Sequence, residues 1–355
     1  MRDREIVFCL RHDFEKHSGG DVVQMRSWEK ALLRLGNRVR ILSGAVQPAD
    51  LRDADVVFIW HLDRLHESFQ PWNVARQMNR PVVLAPTCWY NRTPGRYRAV
   101  VEQLKIWGRW LRFDNDPAVR SMLFRSWRAG RDLMLRQSSL LLVNSAAEKA
   151  LLRQDGAEEA RLRIIPNIVE TAELAGISRL PWNERDGIVC VGHFCPRKNQ
   201  LGLIRAVKGT ALKITFVGTA RPMHQRYWRR CLADAGGQHE FTGELSHPEV
   251  LALLARSRVI ICSSFSETPG IGNLEAAALG CSLVLPDLAP IREYFNGSGI
   301  YIDPEKIDPE KIVTAFHTEP SPEMADRILN NYTERNIITV FDHLQFTGTR
   351  FEKNS

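Results

Sequence analysis

Short β-branched apolar runs alternate with amphipathic stretches along this chain, and no other feature restricts its fold as much. EIVFCL (Glu5–Leu10) precedes DVVQMRSWEKALLRLG (21–36), where apolar residues recur at helical spacing, with Asp21 as N-cap and Gly36 as stop. RVRILSG, DVVFIWH and PVVLAPT follow, then SSLLLVNS (138–145) and RLRIIPN (161–167). An aperiodic stretch, 168–187, carries Gly176 and Pro181 and reads as an interdomain linker. The pattern then restarts with GIVCVGH, KITFVG, EFTGEL, RVIICSS, SLVLPD and GIYID, again separated by helical segments. Strands alternating with helices call for parallel sheets joined by right-handed crossovers. A chain of 355 residues exceeds what one core usually supports, so two domains are expected. The predicted class is α/β with two doubly wound Rossmann-like domains, 1–170 and 187–332. A helix and polar tail, 333–355, follow them.

Composition narrows the function. With 44% hydrophobic and 25% charged residues, the chain is ordinary globular protein. No apolar run approaches the roughly 20 residues that span a bilayer, and the charged N-terminus MRDREIVFCL does not fit a signal peptide. A cytoplasmic protein is expected. The seven cysteines show no CxxC spacing and several fall in predicted strands, which suits buried reduced thiols and not a zinc site. The net charge of +7 is concentrated in one place, since 92–136 holds eleven Lys/Arg against four acids. That segment also carries Trp107, Trp110 and Trp127. Two readings stand: contact with an anionic membrane surface at the inner face, or a solvated helical face whose tryptophans are core. Nucleic acid is not an expected partner, because no recognition motif accompanies the charge.

The stretch FSETPGIGNLEAAALGC (265–281) sets two carboxylates, Glu267 and Glu275, on either side of a pair of glycines. A strand, RVIICSS, precedes it. Pro269 and the glycines keep 267–272 out of a helix, which is predicted from Leu274 onward with Glu275 in its first turn. Strand, glycine loop and helix N-terminus together offer free N–H groups to an anion. HSGGD (17–21) repeats the arrangement after the first strand, with Gly19 and Gly20 at the helix start. VGHFCPRKNQ (191–200) places His193, Arg197 and Lys198 after the first strand of the second domain. Neither GxGxxG nor a GxxxxGK[ST] phosphate loop occurs.

Taken in order, GGDVVQ, IIPN, VGHFCPRKN, ITFVG, FTGELSHPEVLALLARSRVIICSS and the 265–281 stretch resemble the motifs of retaining GT-B glycosyltransferases, family 4 in particular. The resemblance covers most of the chain. It implies a GT-B fold with the two domains facing a central cleft, the first binding the acceptor and the second the nucleotide-sugar donor. Glu275 would bind the ribose hydroxyls and Glu267 the hydroxyls of the transferred sugar. Backbone N–H groups at Gly270 and Ile271, with Lys198 and the Gly19/Gly20 loop, would surround the diphosphate. His193 stands where the family usually has Arg, which shifts charge onto Lys198 and Arg197. Thr87 stands where many members have His, and His61, after DVVFIW, is the substitute candidate for contacting the sugar.

The implied activity is transfer of a hexose from a nucleotide diphosphate sugar to a glycan or lipid-linked acceptor, in cell-surface polysaccharide or glycolipid synthesis. No cofactor is implied. No metal is implied either, because the DxD pairs Asp53/Asp55 and Asp114/Asp116 do not follow strand ends. Rival readings are a catalytically silent nucleotide-sugar binding subunit, and an epimerase or phosphorylase of similar fold.

Overall fold

The computed structural model describes residues 3–15, 19–88, 104 and 127–344. The chain divides into two compact units: residues 1–166 with 335–355, and residues 167–334. Each contains a six-stranded sheet, and the paired strands are parallel throughout.

In the first unit β1 (Glu5–Leu10), β2 (Arg38–Ser43), β3 (Val56–Trp60), β4 (Val82–Ala85), β5 (Leu140–Val143) and β6 (Leu162–Ile164) lie in the order β2-β1-β3-β4-β5-β6. Central β3 and β4 are buried at every residue, as strands covered on both faces must be. The order reverses between β1 and β3. At such a switch point the loops leaving neighbouring strand ends diverge and open a crevice.

The second unit uses a different order. Its strands β7 (Ile188–Val191), β8 (Ile214–Val217), β9 (Glu240–Gly243), β10 (Val259–Ile261), β11 (Ser282–Pro286) and β12 (Ile300–Ile302) run β12-β11-β10-β7-β8-β9, which puts its switch point between β7 and β10. Alternation along β7 sends Ile188 and Cys190 to one face of the sheet and Val189 to the other, so each face has its own core.

Several boundaries differ from expectation. Residues 168–187, read as a linker, pack with the second unit and include a helix, Thr171–Ala175, whose Leu174 is buried. The C-terminal helix, Glu334–His343, brings Phe341 within 5.6 Å of the Trp28 ring and 6.3 Å of Phe58, so this helix joins the first unit's core. Asp21 does not cap its helix. Gly19 holds the N-cap of α1 (Gly20–Arg34), and the Asp21 carboxylate turns elsewhere. The helix after the two-acid loop begins at Ile271 and not at Leu274, which puts Glu275 in its second turn. Trp127, one of three tryptophans behind the membrane reading, is buried in the first unit's core. His17, Ser18, Trp107, Trp110 and most of the basic segment lie outside the described residues.

The packing of Phe341 yields a test. Phe341→Ala removes a buried ring from the Trp28–Phe58 cluster and should cost the first unit about 3 kcal/mol of stability, read as a lower urea midpoint. A midpoint equal to wild type would show that the C-terminal helix is not part of that core.

Candidate functional site

In the first unit, four side chains converge at the switch point. Asp21, the second residue of α1, lies near the positive end of the helix dipole, where a carboxylate is favoured. Its Oδ2 accepts from Arg11 Nε at 2.8 Å and lies 3.1 Å from His61 Nε2. Burial alone would raise the Asp21 pKa, but His61 and Arg11 together hold it well below the usual carboxylate range. Since Asp21 is ionised, Nε2 of His61 donates to it, and in the neutral ring Nδ1 accepts the Thr87 hydroxyl at 2.8 Å. Gly19 makes room for this. A Cβ there would stand 2.6 Å from Asp21 Oδ1.

His61 and Thr87 follow β3 and β4 directly, and both hold positive φ, 71° and 43°. For residues with side chains such backbone costs on the order of 1–3 kcal/mol each, and it gathers at functional sites. Glu67 stands near this group on the helix Leu65–Gln77. Its Oε2 is buried without a hydrogen-bond partner among the described residues. Burial would raise its pKa, yet His66, Arg64 and His61 bring it down to about 2.

In the second unit, the loops after β7 and β10 meet at the switch point. Lys198 and Arg197 come from the turn Pro196–Lys198, and Glu267 from the loop after β10. Lys198 Nζ pairs with Glu267 Oε2, which also takes the Ser264 hydroxyl at 3.2 Å and lies 3.5 Å from Arg197 Nη1. Oε1 has no partner among the described residues. Backbone bonds fix both loops, with Phe265 N–H donating to Arg197 O at 2.9 Å and Ser263 Oγ to Lys198 O at 3.0 Å. On the other side of β7, the loops after β7 and β8 approach closely because Gly218 lacks a side chain: a Cβ there would stand 2.4 Å from Gly192 O.

The two-acid loop is clamped as well. Asn167 Nδ2 donates to Thr268 O at 2.9 Å and Asn273 Nδ2 to Pro269 O at 2.8 Å. Gly270, at φ 81°, is the N-cap of the helix Ile271–Ala278, whose first N–H groups at Ile271 and Gly272 have no intrahelical acceptor. Two cations against one carboxylate, next to a helix N-terminus, make this loop pair attractive to an anion. Glu275 projects from the same helix, and its Oε1 lies 2.6 Å from His247 Nε2. Its Oε2 has no partner among the described residues.

The structure thus brings Arg197, Lys198 and Glu267 together and puts Gly270 and Ile271 at the helix start beside them. His193 lies on the same loop, where its carbonyl accepts from Gln200 Nε2 at 2.9 Å. Gly19 and Gly20 open α1 in the first unit. Sequence reasoning missed Asp21 and Arg11 as partners of His61, and it missed Glu67 and His247. Only His247 had a local signal: SHPE is a capping box, which places His247 at the first helical position.

The Glu267 environment gives a pH dependence. Burial would raise its pKa, but Lys198, Arg197 and Ser264 pull it from 4.5 to about 2. A depressed folded value means that the stabilisation is present above the unfolded value, about 4.3, and fades as pH falls toward 2. Wild type should therefore lose on the order of 3 kcal/mol more than Glu267→Gln between about pH 4.5 and 2. Parallel acid-unfolding curves for the two proteins would rule out this coupling.

Residues 178–330 match the family model described as glycosyl transferases group 1. Among curated proteins, glycogen synthase from Mycobacterium tuberculosis is 28% identical over 205 residues, covering 53% of this chain and 48% of that protein. The chain thus spans about half the length of the curated relatives it matches. Among solved structures, sucrose-phosphate synthase from Thermosynechococcus elongatus aligns with TM-score 0.66 at 14% identity, covering 96% of this chain and 97% of that one. Anabaena HepE in complex with UDP aligns with TM-score 0.65 at 14% identity, covering 96% and 98%. A glycosyltransferase from Rickettsia africae aligns with TM-score 0.67 at 13% identity over both whole chains. The structural matches and the two parallel sheets lead to one assignment: the chain has a GT-B fold, and its residues 178–330 are similar to the group 1 glycosyl transferases.

Proposed function

We propose that this protein is a retaining, metal-independent glycosyltransferase that moves a hexose from a nucleoside diphosphate donor to a glycan or lipid-linked acceptor. One observation carries the reading. Glu267 and Glu275 flank a helix N-terminus, and each has one oxygen held by a cationic side chain and the other without a partner among the described residues. A carboxylate so held is a directed acceptor for hydroxyls, and the helix end between the two suits a diphosphate. Glu275 takes the ribose and Glu267 the sugar.

In the transfer step the bond between the sugar's anomeric carbon and the phosphate oxygen breaks, with its electron pair going to the phosphate. The acceptor oxygen bonds to that carbon from the same face, and its proton passes to the departing phosphate. Charge grows on the leaving oxygen, where Lys198, Arg197 and the N–H groups of Gly270 and Ile271 stabilise it. His61, held by Asp21 and Thr87, is the first unit's own candidate for contacting a sugar hydroxyl. For a lipid-linked acceptor, the basic segment 92–136 is the candidate membrane-facing element. Because HepE was solved with UDP and with UDP-glucose, uridine donors come first in a panel.

Steady-state kinetics with the donor varied separate the two acids. Ribose hydroxyls do not change during the reaction, so Glu275→Ala should raise the donor KM with little change in kcat. The sugar gains positive charge, so Glu267→Ala should lower kcat. Charge-assisted hydrogen bonds worth about 1.5–3 kcal/mol correspond to roughly ten- to a hundredfold in either constant. Reversed effects would overturn the assignment of roles, and donor binding without transfer or hydrolysis would leave a silent binding subunit. The metal and stereochemical parts are checked in the same assay. Turnover should survive excess EDTA, and proton NMR of the product should show the donor's anomeric configuration.

A further inference from the structure

His247 stands where a helix disfavours a cation. It is the first residue of the helix His247–Arg256, with Ser246 as N-cap and Glu249 closing a capping box. The partial positive charge of that helix end opposes an imidazolium. Both ring nitrogens are nonetheless engaged, Nε2 at 2.6 Å from Glu275 Oε1 and Nδ1 at 2.9 Å from Glu173 Oε2. A neutral imidazole has one N–H, so only the charged ring donates to both carboxylates. The acids facing it come from other elements, Glu275 from Ile271–Ala278 and Glu173 from Thr171–Ala175 with Glu170 at its N-cap. Glu249, on its own helix, is engaged by Ser246. The hydrogen bond with Glu275, followed by the charges of Glu275, Glu173 and Glu170, raises the imidazole pKa against the opposing effect of burial.

Resting on the reading of Glu275 as the ribose acceptor, we propose that His247 is the positioning residue of the nucleotide subsite. As an imidazolium it fixes Glu275 through Oε1, turns Oε2 to the ribose hydroxyls, and offsets the carboxylates of Glu173 and Glu275 that repel an anionic nucleotide. Nucleotide affinity is then highest while His247 is protonated and declines as pH rises through its raised pKa.

Calorimetric titration tests this with UDP, ADP and GDP, taking the tightest binder, from about pH 6 to about pH 9. The Kd ratio of His247→Ala to wild type should be about tenfold at the acid end and fall toward unity at the alkaline end. A ratio cancels the nucleotide's own phosphate ionisation, which also lies near pH 6. His247→Gln keeps a hydrogen bond without the charge, so its Kd should recover in part while its ratio to wild type still falls as pH rises. If the alanine variant does not fold, the glutamine variant decides by that ratio. A ratio near unity at all pH values, or one that does not vary with pH, overturns the proposal. Glu275→Ala distinguishes the two levels. Weak binding by Glu275→Ala with normal binding by His247→Ala sinks only the role of His247, whereas normal binding by Glu275→Ala, or no nucleotide binding by wild type, sinks the donor-site reading and this inference with it.

Discussion

The ion pair between Lys198 and Glu267 is the contact on which the second unit's site depends. A buried carboxylate costs several kcal/mol to leave uncompensated, so Glu267 keeps its charge there only because Lys198 and Arg197 face it. The pairing needs the loops after β7 and β10 side by side. The parallel pairing of those strands, Val259 against Ile188 and Ile260 against Val189, supplies that. Both loops leave carboxyl ends of the sheet at its switch point, so the fold delivers a cation and an acid to one place without any long-range signal in sequence.

The first unit solves the same problem with other residues and another strand order. Here the buried acid is Asp21, and its compensating groups are Arg11 from the end of β1 and His61 from the end of β3. The two strands are neighbours, with Val7 opposite Val57 and Cys9 opposite Ile59. What differs is the geometry of the partner: Lys198 meets Glu267 end-on, whereas His61 meets Asp21 through one ring nitrogen and Thr87 through the other.

Much of this was legible in the sequence, and the parts that were not have physical reasons. Strands covered on both faces are continuous apolar runs, so VVFIW and VVLA announced themselves. Glycine and proline spacing exposed the loop carrying Glu267, which the structure leaves outside helix and strand. Helix starts were less legible. Gly272 argues against a helix by propensity, yet Gly270 at φ 81° and the Asn273 bond to Pro269 O start one at Ile271. The strand order was invisible, because a crossover leaves no local mark. For that reason Asp21 read as a cap when its carboxylate in fact belongs to His61, 40 residues away, and His247 showed no link to Glu275.

The two departures from the family pattern also differ in consequence. At His193 an arginine's fixed charge is missing, but Arg197 and Lys198 keep the loop cationic, and His193 contributes a backbone carbonyl to Gln200. At Thr87 a side chain has been lost that the pattern assigns to the sugar, and the hydroxyl in its place supports a different histidine. Thr87 and His61 both occupy backbone conformations that side chains disfavour, and their mutual bond together with Asp21 and Arg11 holds them there. Strain maintained by a hydrogen-bonded set is more informative than a lone histidine at a strand end, which is more often structural. It makes Thr87 a support for His61, whose ring its hydroxyl meets at the end of β3.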